Sequence, residues 1–263
     1  YPSYHTKQDP ERWARFVRFL HAQVHEIADR YTPDILWFDG GWIRRETDTD
    51  PRMEELIAAV REKHPGILAA NRTVTGCCED FITPEQQFPP APLTIPWESC
   101  MTLTECLSYR FGEHYITLRA LIHRLVKIVA RGGNLAINVS PQPDGALPQG
   151  AVARLQGLGA WLRAAGEAIY STRICAPYEA GNLFYTRAKK PGCIYAIALW
   201  KNAHAAPQSL TLPLASDKKV KAVHALCCSR AIAFEQRGAS LTLSLTDFAQ
   251  NSYADAFRIE SEE

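Results

Sequence analysis

Apolar positions in the first two thirds of the chain follow two alternating rhythms. From Glu11 to Tyr31, Trp13, Phe16, Val17, Leu20, Val24 and Ile27 recur at helical spacing, a one-sided stripe that predicts an amphipathic helix. Thr32–Pro33 stops it, and 34–38 (DILWF) follows as a short, continuously apolar strand. A second helix is predicted over about 51–63, leading through His64-Pro65-Gly66 into a strand at 67–70. A proline-rich irregular stretch at 73–92 precedes a strand predicted at 93–97. A long helix at about 113–130 ends at Gly132–Gly133, a strand occupies 135–139, and a last helix runs over about 149–165.

Strands that are apolar throughout and alternate with helices indicate a parallel sheet covered on both faces, either doubly wound or closed into a barrel. Four such strands are half the complement of an eight-stranded barrel. From about Cys175 the period changes to two. Short alternating runs at 182–188, 193–200, 209–214, 220–226, 232–236, 240–245 and 256–259 predict a small antiparallel β-sandwich. The expected organisation is an α/β domain over 1–173 and a sandwich over 174–263.

Composition narrows the chemistry by exclusion. The chain has 263 residues and a net charge of +1, with 22% charged residues spread along its length. No basic stripe suits a phosphate backbone, so nucleic acid is not an expected partner. No apolar run approaches the roughly 18 residues of a membrane span. No strand is followed by a glycine-rich fingerprint, which leaves dinucleotide and P-loop sites without support. The eight cysteines show no zinc-type spacing and read mainly as structural thiols, with disulfides left open. No metal or organic cofactor is implied.

In parallel α/β sheets, reactive groups collect beyond the C-terminal ends of the strands. The predicted exits deliver Asp39 with Gly40–Gly41, then Asn71 and Arg72, then Trp97 and Glu98, then Asn138 and Ser140. Each has a structural counterpart: an Asp at a strand end caps helices or forms turns, and Trp37, Trp42 and Trp97 are the kind of residue cores use. Paired carboxylates beside Trp rings, however, suit glycoside hydrolysis, where one acid attacks or stabilises the anomeric carbon and the other protonates the leaving oxygen. The residues alone carry the reading as far as a barrel hydrolase acting on sugars.

Five motifs, in order, go further. Residues 33–42 (PDILWFDGGW) resemble the nucleophile strand of glycoside hydrolase family 29, the α-L-fucosidases. Residues 80–85 (DFITPE), 97–102 (WESCMT), 132–145 (GGNLAINVSPQPDG) and 166–170 (GEAIY) are similar to later stretches of the same family. The resemblance implies part of a TIM-like (β/α) barrel followed by a β-sandwich, a retaining mechanism, and a fucosylated oligosaccharide as substrate. It makes Asp39 the nucleophile and Glu85 the acid/base, with Glu98 the alternative for that role. Trp37, Arg72, Trp97 and Glu98 become substrate-binding residues. A secreted or periplasmic setting is implied as well. The chain departs from the family at 105–109 (ECLSY), where a Trp-Gly-Tyr stretch is usual. The family's first strands are expected before Tyr1, so a fragment inactive by itself is the expectation. A degenerate carbohydrate-binding module and a glycosidase for another deoxysugar are the competing readings.

Overall fold

The computed structural model describes residues 9–40, 50–72, 76, 78–201, 207–246 and 248–262. Two compact units emerge: residues 1–83 with 94–98, and residues 84–93 with 99–263.

In the first unit, α1 (Pro10–Tyr31) is started by Asp9, whose carboxylate accepts from Arg12 N at 2.8 Å, with Pro10 in the first turn. Next come β1 (Ile35–Leu36), α2 (Met53–Lys63) and β2 (Leu68–Ala69). β1 and β2 pair in parallel. The ladder continues through parallel bridges from Ala70 to Phe81 and from Ile82 to Trp97, the first residue of β3 (Trp97–Thr102). Val24 and Ala28 of α1 and Leu56, Ile57 and Val60 of α2 pack on Leu36 and Ala69, so the helices cover one face of this sheet.

Two expectations require correction here. The strand predicted at 93–97 begins where it was expected to end, so Trp97 and Glu98 open β3 rather than leave it. Pro92 and Pro96 lack the N–H a ladder needs, and the Pro96 carbonyl instead accepts from Ile82 N at 3.0 Å. The proline-rich stretch, in turn, is not wholly irregular, because Phe81 and Ile82 lie between β2 and β3 in the ladder.

The second unit contains α3 (Leu118–Ala130), β4 (Gly133–Asn138), hydrogen-bonded to β3, and α4 (Gln149–Ala165). α3 starts five residues later than predicted: Thr117 caps it, its hydroxyl accepting from Ala120 N at 3.1 Å, while Ile116 N is spent on Leu103 O at 2.9 Å. The rest is antiparallel: β5 (Glu179–Ala180), β6 (Leu183–Arg187), β7 (Cys193–Leu199), β8 (Ser209–Pro213), β9 (Val220–Ala225), β10 (Arg230–Ala231), β11 (Phe234–Arg237), β12 (Ser240–Ser244) and β13 (Ala254–Ser261).

These strands form a sheet in the order β10-β9-β13-β7-β6-β5 and a second in the order β11-β12-β8. Leu212, Leu241 and Leu243 of the smaller sheet pack against Tyr185, Ala196, Ala198, Phe257 and Ile259 of the larger. The opposite face of the larger sheet, with Phe184, Tyr195, Ile197 and Ala256, is covered by Leu121, Leu125, Leu158 and Trp161 of α3 and α4. Trp161 Nε1 also donates to Ala254 O at 3.0 Å. Cover on both sides explains why Tyr195 to Leu199 is buried at every position, where simple alternation would leave half of them wet.

Candidate active site

The first unit's sheet arranges most of the predicted site residues by register. Leu36 is paired with Ala69, Ala70 with Phe81, and Ile82 with Trp97. Extended past the ends of β1 and β2, the register carries Asp39 and Arg72 toward the level of Thr83 and of Glu98, the second residue of β3. Trp37 and Phe81 lie two residues lower. Side chains alternate along a strand, so these residues share the face opposite the helices. The ring contacts agree: Trp37 meets Phe81 edge-on at 6.1 Å, and the Arg72 guanidinium carbon stands 5.8 Å from the centre of the Trp37 ring. Asp39 and Glu98 are three strands apart, about 14 Å on a flat sheet at ~4.8 Å per strand, so bringing their carboxyls together takes a curved one.

Asp39 is exposed, and one carboxylate oxygen accepts from Gly40 N at 2.9 Å. Gly40 is buried with φ +111, a conformation only glycine adopts without strain. Asp39 thus lies three residues past the end of β1, with its carboxylate turned onto the Gly40 amide. Gly41 and Trp42 lie outside the described residues.

Glu98 is half-buried, and desolvation raises its carboxyl above the usual glutamate range. Trp97, one residue earlier, falls on the helix-covered face and is 1% exposed.

Two further residues of this unit hold the ladder. Asn71 Oδ1 accepts from Thr83 N at 2.8 Å and from the Thr83 hydroxyl at 2.9 Å, which locks the second strand exit to the third. Asp80 accepts from Ala69 N at 2.7 Å and pairs with Arg61 at 2.5 Å. Sequence alone offered no signal for Asp80 beyond its place in the DFITPE motif.

Glu85 belongs to the second unit. It is exposed and bridges in parallel to Cys100 of β3. Gln86, next to it, has φ +56, and its side-chain amide exchanges hydrogen bonds with Thr102: Nε2 to the hydroxyl at 3.1 Å, and Thr102 N to Oε1 at 3.3 Å. At the exit of β4, Asn138 Nδ2 and the Ser140 hydroxyl donate to Leu107 O at 3.1 and 2.7 Å, bracing the segment that departs from the family pattern. Cys175 and Cys227 are thiols pushed up to about 11 and about 12 by burial, which makes them poor nucleophiles.

A family model described as Alpha-L-fucosidase matches residues 1–167. The plasma alpha-L-fucosidase of Homo sapiens is 28% identical over 223 residues, covering 75% of this chain and 44% of that protein. Among solved structures, Alpha-L-fucosidase isoenzyme 1 from Paenibacillus thiaminolyticus superposes with a TM-score of 0.83 at 25% identity, over 95% of this chain and 63% of that one. The Thermotoga maritima alpha-fucosidase, solved in complex with a mechanism based inhibitor, gives 0.77 at 26% identity, over 94% and 57%. The chain thus spans less than half the length of the human relative. With well over half of its own length matched by the family model, it belongs to the alpha-L-fucosidase family.

Proposed function

We propose that this chain supplies the nucleophile side of a retaining α-L-fucosidase site, acting on α-linked L-fucose in oligosaccharides or glycoconjugates. What supports the proposal is Asp39 just past the end of a helix-backed parallel strand, whose register extends toward Arg72 and Glu98, in a member of this family. In this reading residues 1–173 are part of a (β/α) barrel and 174–263 its C-terminal β-sandwich. A barrel's closure supplies the curvature that three strand spacings require.

Asp39 attacks the anomeric carbon to form a glycosyl–enzyme ester while an acid protonates the departing oxygen; the same residue then deprotonates the water that releases fucose. Glu85 is the proposed acid/base. It stands on a loop whose conformation is fixed by Gln86, and a loop acid can reach the glycosidic oxygen from the side. Glu98 is the second reading, favoured by its desolvated carboxyl, since a general acid must keep its proton near neutral pH. Arg72 steadies Trp37 and the acids, and Trp37 packs on the fucose ring and methyl. Trp97, being buried, supports the wall behind Glu98.

The test is kinetic, on a protein carrying residues 1–263. Asp39→Gly should lower turnover by at least about 10³-fold and be rescued by azide, which fills the nucleophile's place. Glu85→Ala should lose roughly 10²-fold or more on natural glycosides yet keep most activity on aryl fucosides with good leaving groups. That pattern in Glu98→Ala instead would move the acid/base role to Glu98. An Asp39→Gly variant with full turnover would sink the proposal.

A further inference from the structure

We propose that Arg131 is a positioning residue, tying the loop that carries Glu85 to the β-sandwich so that the C-terminal strands help set where the acid/base stands. The inference rests on the reading of Glu85 given above. Loop residues 84–93, α3 and the sandwich all belong to one compact unit.

The near end of the loop is held by β3. Gln86 N donates to Cys100 O at 2.8 Å, and the Ser99 hydroxyl donates to Gln87 O at 2.6 Å. Gln86 holds its left-handed backbone against these contacts and the Thr102 bonds, and a non-glycine residue stays there only where its surroundings over-determine it.

The far end is held by Arg131, which follows α3 and is 7% exposed. Its Nε donates to Pro90 O at 3.2 Å, and its guanidinium carbon lies 5.6 Å from the Phe88 ring centre. From the same plane, Nη1 donates to Lys127 O at 3.0 Å and Nη2 to Glu179 of β5 at 2.5 Å. The rings of Tyr178 and Phe184 stand 5.6 and 5.8 Å away. One guanidinium therefore joins the acid/base loop, the end of α3 and two sandwich strands. Burial alone would ask only for an apolar side chain. A planar fork that bonds three oxygens while stacking on rings is what arginine provides and lysine does not.

The experiment compares Arg131→Lys and Glu179→Gln with the unaltered chain by amide hydrogen exchange. Exchange at Gln86, Gln87 and Phe88 should quicken by about 10-fold or more in both, while amides of β7 and β13 keep their protection and report an intact fold. In turnover, measured on the same protein carrying residues 1–263 that serves for the Asp39 and Glu85 variants, both changes should cost about 10-fold more kcat on natural glycosides than on activated aryl fucosides, the signature of a displaced general acid. Unchanged exchange at 86–88 in both variants overturns the clamp, and so does an equal loss on the two substrate types. If Glu85→Ala itself leaves natural-substrate turnover intact, the acid/base reading fails and takes the catalytic half of this proposal with it; exchange at 86–88 then decides the clamp separately.

Discussion

Asp255 is a buried carboxyl on β13 that lacks a cationic partner among the described residues. Trp200 Nε1 donates to it at 2.8 Å and Asn251 N at 3.0 Å, and burial raises its pKa above the ordinary aspartate value. The sign follows: a folded-state pKa above the unfolded one leaves stability undiminished below the ordinary value of about 3.9, and removes it as pH rises from there toward the raised folded value. Asp255→Asn keeps an acceptor for Trp200 and Asn251 but cannot ionise. Relative to the unaltered protein, its Tm should therefore gain as pH rises, and thermal melts of both across pH 3 to 8 would check this. At this scale the sequence was uneven. Asp39 was conspicuous because an acid there follows a continuously apolar run. Gln86 and Arg131 were not, because a left-handed backbone and a guanidinium shared among distant segments leave no local pattern.

At the scale of elements, the helices were the most legible part, since a stripe sustained over ten or more residues is hard to mistake. α4 was located to the residue, whereas α3 was overextended because His114, Tyr115 and Ile116 continue its approach without joining it. The Phe81–Ile82 bridges escaped notice because two residues carry no periodicity and prolines follow them closely. They are placed by their neighbours, chiefly Asp80, whose carboxylate closes on Ala69 N and Arg61. Asp80→Ala removes a charge-assisted bond and leaves the Ala69 amide unsatisfied, so about 2–3 kcal/mol of stability should go, read as a lower denaturation midpoint. A loss under about 0.5 kcal/mol would mean water replaces the carboxylate at little cost.

At the scale of the whole molecule, the first unit keeps apolar surface in water. Phe16, Phe19, Ile27 and Tyr31 are 44%, 60%, 46% and 71% exposed along one side of α1, and on the sheet Ile35, Trp37 and Leu68 are 46%, 39% and 42% exposed. Exposed apolar side chains on a helix side and on a sheet face call for cover or promote association. Residues 1–263 produced alone should self-associate in a concentration-dependent way by analytical ultracentrifugation, and Phe16→Lys with Phe19→Glu should reduce it. The period-two reading found the sandwich but not its order, because alternation assigns faces without assigning neighbours. That order has a consequence for synthesis. β13 leaves the ribosome after every other described strand of the larger sheet, yet it lies between β7 and β9 in that sheet's middle. Until it emerges, two long strand edges wait unpaired beside one another's future partner, so a nascent chain stalled after Leu245 offers a docking slot for a stray strand, and a chaperone has its best reason to be there.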